Sequence, residues 1–222
     1  GASMIAITSE KIPVTVLGAT GATGERLVRL LDNHPWFEVV AVAGLDQPPG
    51  RSYGDTVRWR EPTPIPERIA AMPLRRPEPG IGGRVAFSAL EADGAGVIEQ
   101  ALAKAGIVVV SHSGAHRLDP DVPLIIPEVN ADHLALVERQ RRERKWAGAI
   151  IANPSCSTTG LVLAVSPLHR AFGIDRLVVT TMQALSGAGF PGVPALDAMG
   201  NVIPLTGGEE EKIEGETRRL LG

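Results

Sequence analysis

Short apolar runs alternate with stretches of helical spacing along most of the chain. Ile12 to Leu17 is apolar and meets a glycine-rich turn, after which Leu27, Val28, Leu30 and Leu31 recur with helical spacing. This predicts a strand, a tight turn and a helix that stops near Asn33-His34-Pro35. Val39 to Ala43 reads as a second strand, and Val85-Ala86-Phe87, Ile107 to Val110 and Leu124-Ile125-Ile126 as three more. A helix is expected at about Gly94–Ala105, between two of them. Ala149-Ile150-Ile151-Ala152 reads as a buried strand, and Leu161, Val162, Leu163, Val165 and Leu168 as the apolar side of the helix that follows. Asp175 to Ala184 gives one further strand. Strands alternating with helices imply an α/β fold, a Rossmann-like, doubly wound parallel sheet covered on both faces. The stretch from Pro62 to Gly80 holds six prolines and is expected to be an extended surface loop outside the sheet. No internal repeat is visible.

Composition narrows the class. Lys plus Arg is 22 against 25 Asp plus Glu, a net charge of −3, which is no footprint for nucleic acid. The five cations between Arg139 and Lys145 close the pattern Leu134, Leu136, Val137 and read as a solvated helix end. No apolar stretch is long enough to span a membrane, and no signal peptide is visible. The single cysteine excludes an internal disulfide and suits a reducing compartment, so a cytoplasmic enzyme is expected. Gly1-Ala2-Ser3 ahead of Met4 reads as a cloning scar.

Two segments carry candidate chemistry. Cys156 sits in Asn153-Pro154-Ser155-Cys156-Ser157-Thr158, where a strand turns into a helix. The unpaired N–H groups of a helix start favour an anion, and the thiolate is the nucleophilic form of cysteine. Cys156 is therefore the candidate nucleophile, although one cysteine alone can also be a small buried hydrophobe. In Gly18-Ala19-Thr20-Gly21-Ala22-Thr23-Gly24 three glycines stand three apart between the first strand and helix. Such a turn permits close approach of a pyrophosphate to the helix N-terminus. The cofactor stays open on the residues alone. Asp46 suits the ribose hydroxyls of NAD, whereas Arg51-Ser52 suits the 2′-phosphate of NADP.

Taken with Met182-Gln183-Ala184-Leu185-Ser186-Gly187-Ala188-Gly189 and Glu209-Glu210-Glu211-Lys212, these segments resemble aspartate-semialdehyde dehydrogenase. Ala115-His116-Arg117-Leu118-Asp119-Pro120 and Ile126-Pro127-Glu128-Val129-Asn130 resemble its archaeal and fungal branch. The resemblance runs from about Val14 to the chain end, outside the proline-rich stretch. It implies NADPH-dependent reduction of L-aspartyl 4-phosphate to L-aspartate 4-semialdehyde through a Cys156 thioester, a step of lysine, threonine and methionine synthesis. By the same resemblance Gln183 orients the substrate, Arg117 and Lys212 hold phosphate, and Glu209 receives the substrate amino group. Thr20, Gly21, Ala22 and Thr23, with Gly18 and Gly24, cradle the pyrophosphate; Arg51 and Ser52 meet the 2′-phosphate; Ser88, Ser186 and Gly187 also line the cofactor site. The resemblance thus favours NADP, with no metal, and implies a homodimer or homotetramer acting on an acyl phosphate, its aldehyde and phosphate.

Some features depart from the family pattern. Its catalytic histidine and a second arginine for the substrate carboxylate fall beyond Gly222, so a fragment is expected. It comprises a tail over 1–11, a dinucleotide-binding domain over 12–155, and the beginning of an α+β catalytic and dimerisation domain over 156–222. His34, His133 and His169 match no motif for a base. His112 stands where the family usually carries asparagine, and His116 reads as structural. Taken alone, Arg117 also reads as a partner of a nearby acid, and Glu209 with Lys212 as a solvated ion pair. A malonyl-CoA reductase, an N-acetylglutamyl-phosphate reductase and a dinucleotide-binding module without turnover are the alternatives.

Overall fold

The computed structural model describes residues 10–45, 51–188, 192–204 and 207–222. Its first elements are strand β1 (Ile12–Leu17), helix α1 (Ala22–Leu31), β2 (Phe37–Ala43), the single-turn helices α2 (Tyr53–Thr56) and α3 (Glu67–Ala70), and β3 (Leu74–Arg75). Then come β4 (Val85–Ser88), α4 (Ala92–Lys104), β5 (Val108–Ser111), α5 (Pro127–Asn130), α6 (Leu136–Arg144) and β6 (Ala149–Ala152). The last are α7 (Cys156–Phe172), α8 (Ala195–Ala198) and α9 (Glu209–Leu221), with 3-10 turns at Ala131–Ala135 and Leu185–Ala188. The strands follow the order β3-β2-β1-β4-β5-β6, and the pairs β1–β2, β2–β3 and β5–β6 run parallel. This is the doubly wound order that the alternating pattern predicts. By its internal contacts the chain divides into two units, Gly1–Phe87 and Ser88–Gly222.

In the first unit Val14, Val16, Val28, Leu31, Val39 and Val42 form the core, the inward positions of β1 and β2 meeting one stripe of α1. The proline-rich stretch corrects an expectation. It contributes buried Ile69 and Leu74, and Leu74–Arg75 pairs with β2 as an edge strand. Pro73 stands just before that strand, a position where a missing N–H is tolerated.

In the second unit β5 and β6 pair along Val108–Ser111 and Ala149–Ala152. Gln140 of α6 is fully buried and accepts the Ile150 N–H at 2.7 Å while donating to the Ile150 carbonyl at 3.0 Å. Two expected strands are absent. Leu124, Ile125 and Ile126 are buried, but between Pro123 and Pro127 they make only an isolated bridge from Leu124 to Ala152. Asp175 to Ala184 carries no strand pairing. A strand needs a neighbour for its ladder, and none reaches this segment among the described residues. Among the described residues no helix is long and apolar enough to cross a membrane.

Candidate active site

The glycine loop shows what each glycine is for. Gly18 adopts a positive φ of 68°, where a side chain would be strained. A Cβ on Gly24 would lie 2.1 Å from the Gly18 carbonyl oxygen and 2.6 Å from the Ala19 Cα, so this glycine is required for packing helix on loop. Gly21 differs. A Cβ there would meet only the Gly18 oxygen at 3.5 Å, an ordinary contact, so the protein's own packing does not demand glycine. Gly21, Ala22 and Thr23 are exposed at the start of α1, where the first N–H groups have no carbonyl within the helix to reach. Room at Gly21 beside an unpaired, positively polarised helix start fits a pyrophosphate. Gly24→Ala is therefore expected to cost about 3 kcal/mol in urea unfolding. Gly21→Ala should keep the wild-type midpoint and weaken dinucleotide binding about ten-fold, as titration of NADP against protein fluorescence would report.

Arg51 is exposed on the segment entering α2. The Ser52 hydroxyl donates to the Asp55 carboxylate at 2.6 Å and accepts the Asp55 N–H at 3.1 Å. Asp46, the residue that suits NAD, lies outside the described residues.

In the second unit Cys156 is exposed and opens the 17-residue helix α7. Ser155 caps it, its hydroxyl accepting the Thr158 N–H at 3.2 Å. The N–H groups of Cys156 and Ser157 stand in the first turn, where no carbonyl of the helix can reach them. Two sets of side chains converge on this turn. On one side the Ser157 hydroxyl donates to Glu209 at 3.0 Å, and Gln183 donates to the Ser157 hydroxyl at 3.0 Å and to Glu209 at 3.1 Å. Lys212 ion-pairs with the other Glu209 oxygen. Burial works against charge on Glu209, but Lys212, Gln183 and Ser157 outweigh it and hold the carboxyl below its usual range. On the other side Arg117 donates to Glu216 at 2.9 Å and to the His112 carbonyl at 2.8 Å. Glu216 is buried and also accepts the Ser155 N–H at 2.7 Å. Arg117 thus does pair with an acid, and that acid ties it to the cap of the Cys156 helix. Its Nε has no hydrogen-bond partner among the described residues.

His112 places its ring 3.3 Å from the Asn153 amide nitrogen, and burial, then Arg117, pushes its pKa down towards a neutral imidazole. Ser88 is fully buried beside the Glu99 carboxylate, so its side chain faces the interior and not an open groove. Gly187 lies in the turn that follows Gln183, with Ser186, whose side chain is outside the described set.

Glu99 itself is fully buried, accepts from Ser111 at 2.8 Å, and is pushed up by burial. A carboxyl raised by the fold favours folding while protonated, and this contribution is lost as pH rises through the folded value. Glu99→Gln stays neutral, so its urea midpoint should gain on wild type as pH rises above the ordinary carboxylate range. A constant gap between the two proteins would refute the assignment.

Residues 13–137 match the semialdehyde dehydrogenase NAD binding domain, and residues 165–222 match the semialdehyde dehydrogenase dimerisation domain. The chain belongs to the semialdehyde dehydrogenase family. Within that family it is similar to aspartate-semialdehyde dehydrogenases. One from Methanothermobacter thermautotrophicus is 45% identical over 213 residues, 95% of this chain and 61% of the relative. One from Cryptococcus neoformans is 45% identical over 218 residues, 96% of this chain and 60% of the relative. The crystal structure of aspartate semialdehyde dehydrogenase with NADP from Candida albicans aligns with a TM-score of 0.86 at 38% identity, covering 95% of this chain and 60% of that one. The chain therefore spans about three-fifths of the length of these relatives.

Two residues of this candidate site are not singled out by the sequence. Glu216 carried a signal, since Glu209, Lys212, Glu216 and Leu220 recur with helical spacing along the inner side of α9. Ser157 carried only its place next to Cys156.

Proposed function

We propose that this chain carries the dinucleotide loop and the nucleophile of an aspartate-semialdehyde dehydrogenase. The reaction is reduction of L-aspartyl 4-phosphate to L-aspartate 4-semialdehyde, on the route to lysine, threonine and methionine. The observation that carries the reading is the convergence on the first turn of α7 of Cys156, Gln183, Glu209 and Lys212, with Arg117 joined through Glu216.

Cys156 attacks the acyl carbon, the bond from carbon to phosphate oxygen breaks, and phosphate leaves a thioester behind. The Cys156 and Ser157 N–H groups supply donors for the oxyanion of that step. Glu209, kept anionic, receives the substrate ammonium, which favours an amino-bearing aspartyl substrate over a malonyl one. Arg117 and Lys212 receive phosphate, Arg117 by sharing a fork that now serves Glu216 and the His112 carbonyl. A nicotinamide dinucleotide, when bound, supplies hydride. The glycine loop from Gly18 to Gly24 would hold its pyrophosphate, and Arg51 its 2′-phosphate, so NADP is the expected cofactor. The NADP in the Candida albicans relative supports that choice. The match to a dimerisation domain supports self-association as a homodimer or homotetramer, and a free, exposed thiol suits the reducing cytoplasm.

The test is NADPH formation from aspartate semialdehyde, with and without phosphate and with NAD in place of NADP. Phosphate-dependent reduction of NADP is the expected result. Turnover that ignores phosphate would overturn the reading. Absence of turnover together with tight NADP binding would favour a dinucleotide-binding module.

A further inference from the structure

We infer that Tyr53 is a positioning residue that locks the glycine loop to the segment carrying Arg51 and Ser52. The inference rests on the dinucleotide reading of that loop. Tyr53 is fully buried, and its hydroxyl donates to the Ala19 carbonyl at 2.8 Å, across 34 positions of sequence. The Ala19 N–H is held separately by the Ala43 carbonyl of β2 at 2.9 Å. With the residue tied at its N–H and its carbonyl, the peptide plane between Ala19 and Thr20 has no freedom to turn. In a trans peptide the N–H points opposite to the carbonyl. The Ala19 carbonyl is turned to the buried Tyr53 hydroxyl, so the Thr20 N–H is aimed away from it.

The other end of the lock is equally fixed. The Tyr53 N–H donates to Met72 at 2.8 Å, Leu74 donates to the Arg51 carbonyl at 2.9 Å, and Ser52 bridges Pro73. One phenol therefore joins the loop proposed for the pyrophosphate to the residues proposed for the 2′-phosphate. Without its hydroxyl the buried Ala19 carbonyl loses its donor, the loop samples other conformations, and apparent affinity falls with the competent fraction.

The test uses the whole 222-residue chain and compares Tyr53→Phe with wild type, NADP being one ligand and adenosine 2′-monophosphate the other. The nucleotide monophosphate has no pyrophosphate and reads the Arg51–Ser52 end alone. The expected result is about ten-fold weaker NADP binding with unchanged binding of the monophosphate. Equal NADP affinity in both proteins, or parallel loss of both ligands, would overturn the inference. Wild type that binds neither NADP nor NAD would overturn the reading of the loop and this inference with it. Tyr53 is the only tyrosine, so fluorotyrosine labels it alone without a substitution. Its fluorine resonance should shift with NADP and stay still with the monophosphate; the same response to both ligands would count against the lock.

Discussion

Replacing Cys156 with serine is expected to lower phosphate-dependent oxidation of aspartate semialdehyde by about a thousand-fold or more, with little change in stability. The size follows from the covalent step. In the proposed reaction every turnover passes through a sulfur–carbon bond, and a hydroxyl at neutral pH is a far weaker nucleophile than a thiol. The small effect on stability follows from position. Cys156 is exposed, and the cap of α7 is made by Ser155, which the substitution leaves intact. Initial rates with and without phosphate, beside a urea unfolding curve, would measure both. A serine variant with a tenth or more of the wild-type rate would remove Cys156 from the chemistry. A variant that unfolds would mean that the thiol is structural after all. The same protein offers a direct control, because iodoacetamide should modify wild type at one site and the variant at none.

The parts of this fold that are legible in sequence are those set by neighbours in sequence. β1 is legible as a short apolar run that ends in a glycine turn, and the start of α7 as the change from the apolar run Ala149–Ala152 to helical spacing after Cys156. Leu124, Ile125 and Ile126 read as a strand because their apolar character reports burial, and buried they are. Pairing is a separate, non-local property, and Pro127 turns the chain into α5 before a ladder can form. The proline-rich stretch misleads in the opposite direction. Its prolines flank short elements and leave Ile69 and Leu74 free to enter the core. In the candidate site the resemblance singles out Cys156, Gln183, Arg117, Glu209 and Lys212, but not the joints between them. Nothing local tells that the acid chosen by Arg117 lies 99 positions away and also serves the cap of the helix that Cys156 opens.

That joint carries the second large effect. Glu216→Ala should destabilise the second unit by about 3–5 kcal/mol, because it removes one member of a buried ion pair and strands the other. The Glu216 side chain is 1% exposed and that of Arg117 11%, so neither charge has water to fall back on. The substitution also leaves the Ser155 N–H without its acceptor at the entrance to α7. Glu216→Gln keeps the shape but has one acceptor oxygen for two donors, Arg117 and the Ser155 N–H, and should cost about 2–3 kcal/mol, less than Ala. The Gln variant then isolates the electrostatic part. Arg117 loses its counter-charge but stays in place, so phosphate faces less competition for the guanidinium while Cys156 keeps its setting. The expected pattern is a strongly lowered urea midpoint for Ala, a less lowered one for Gln, and a phosphate KM that moves more than kcat in the Gln variant. An Ala variant within about 1 kcal/mol of wild type would mean that Arg117 and Glu216 are solvated separately, and would leave Arg117 without the tether that joins it to the Cys156 helix.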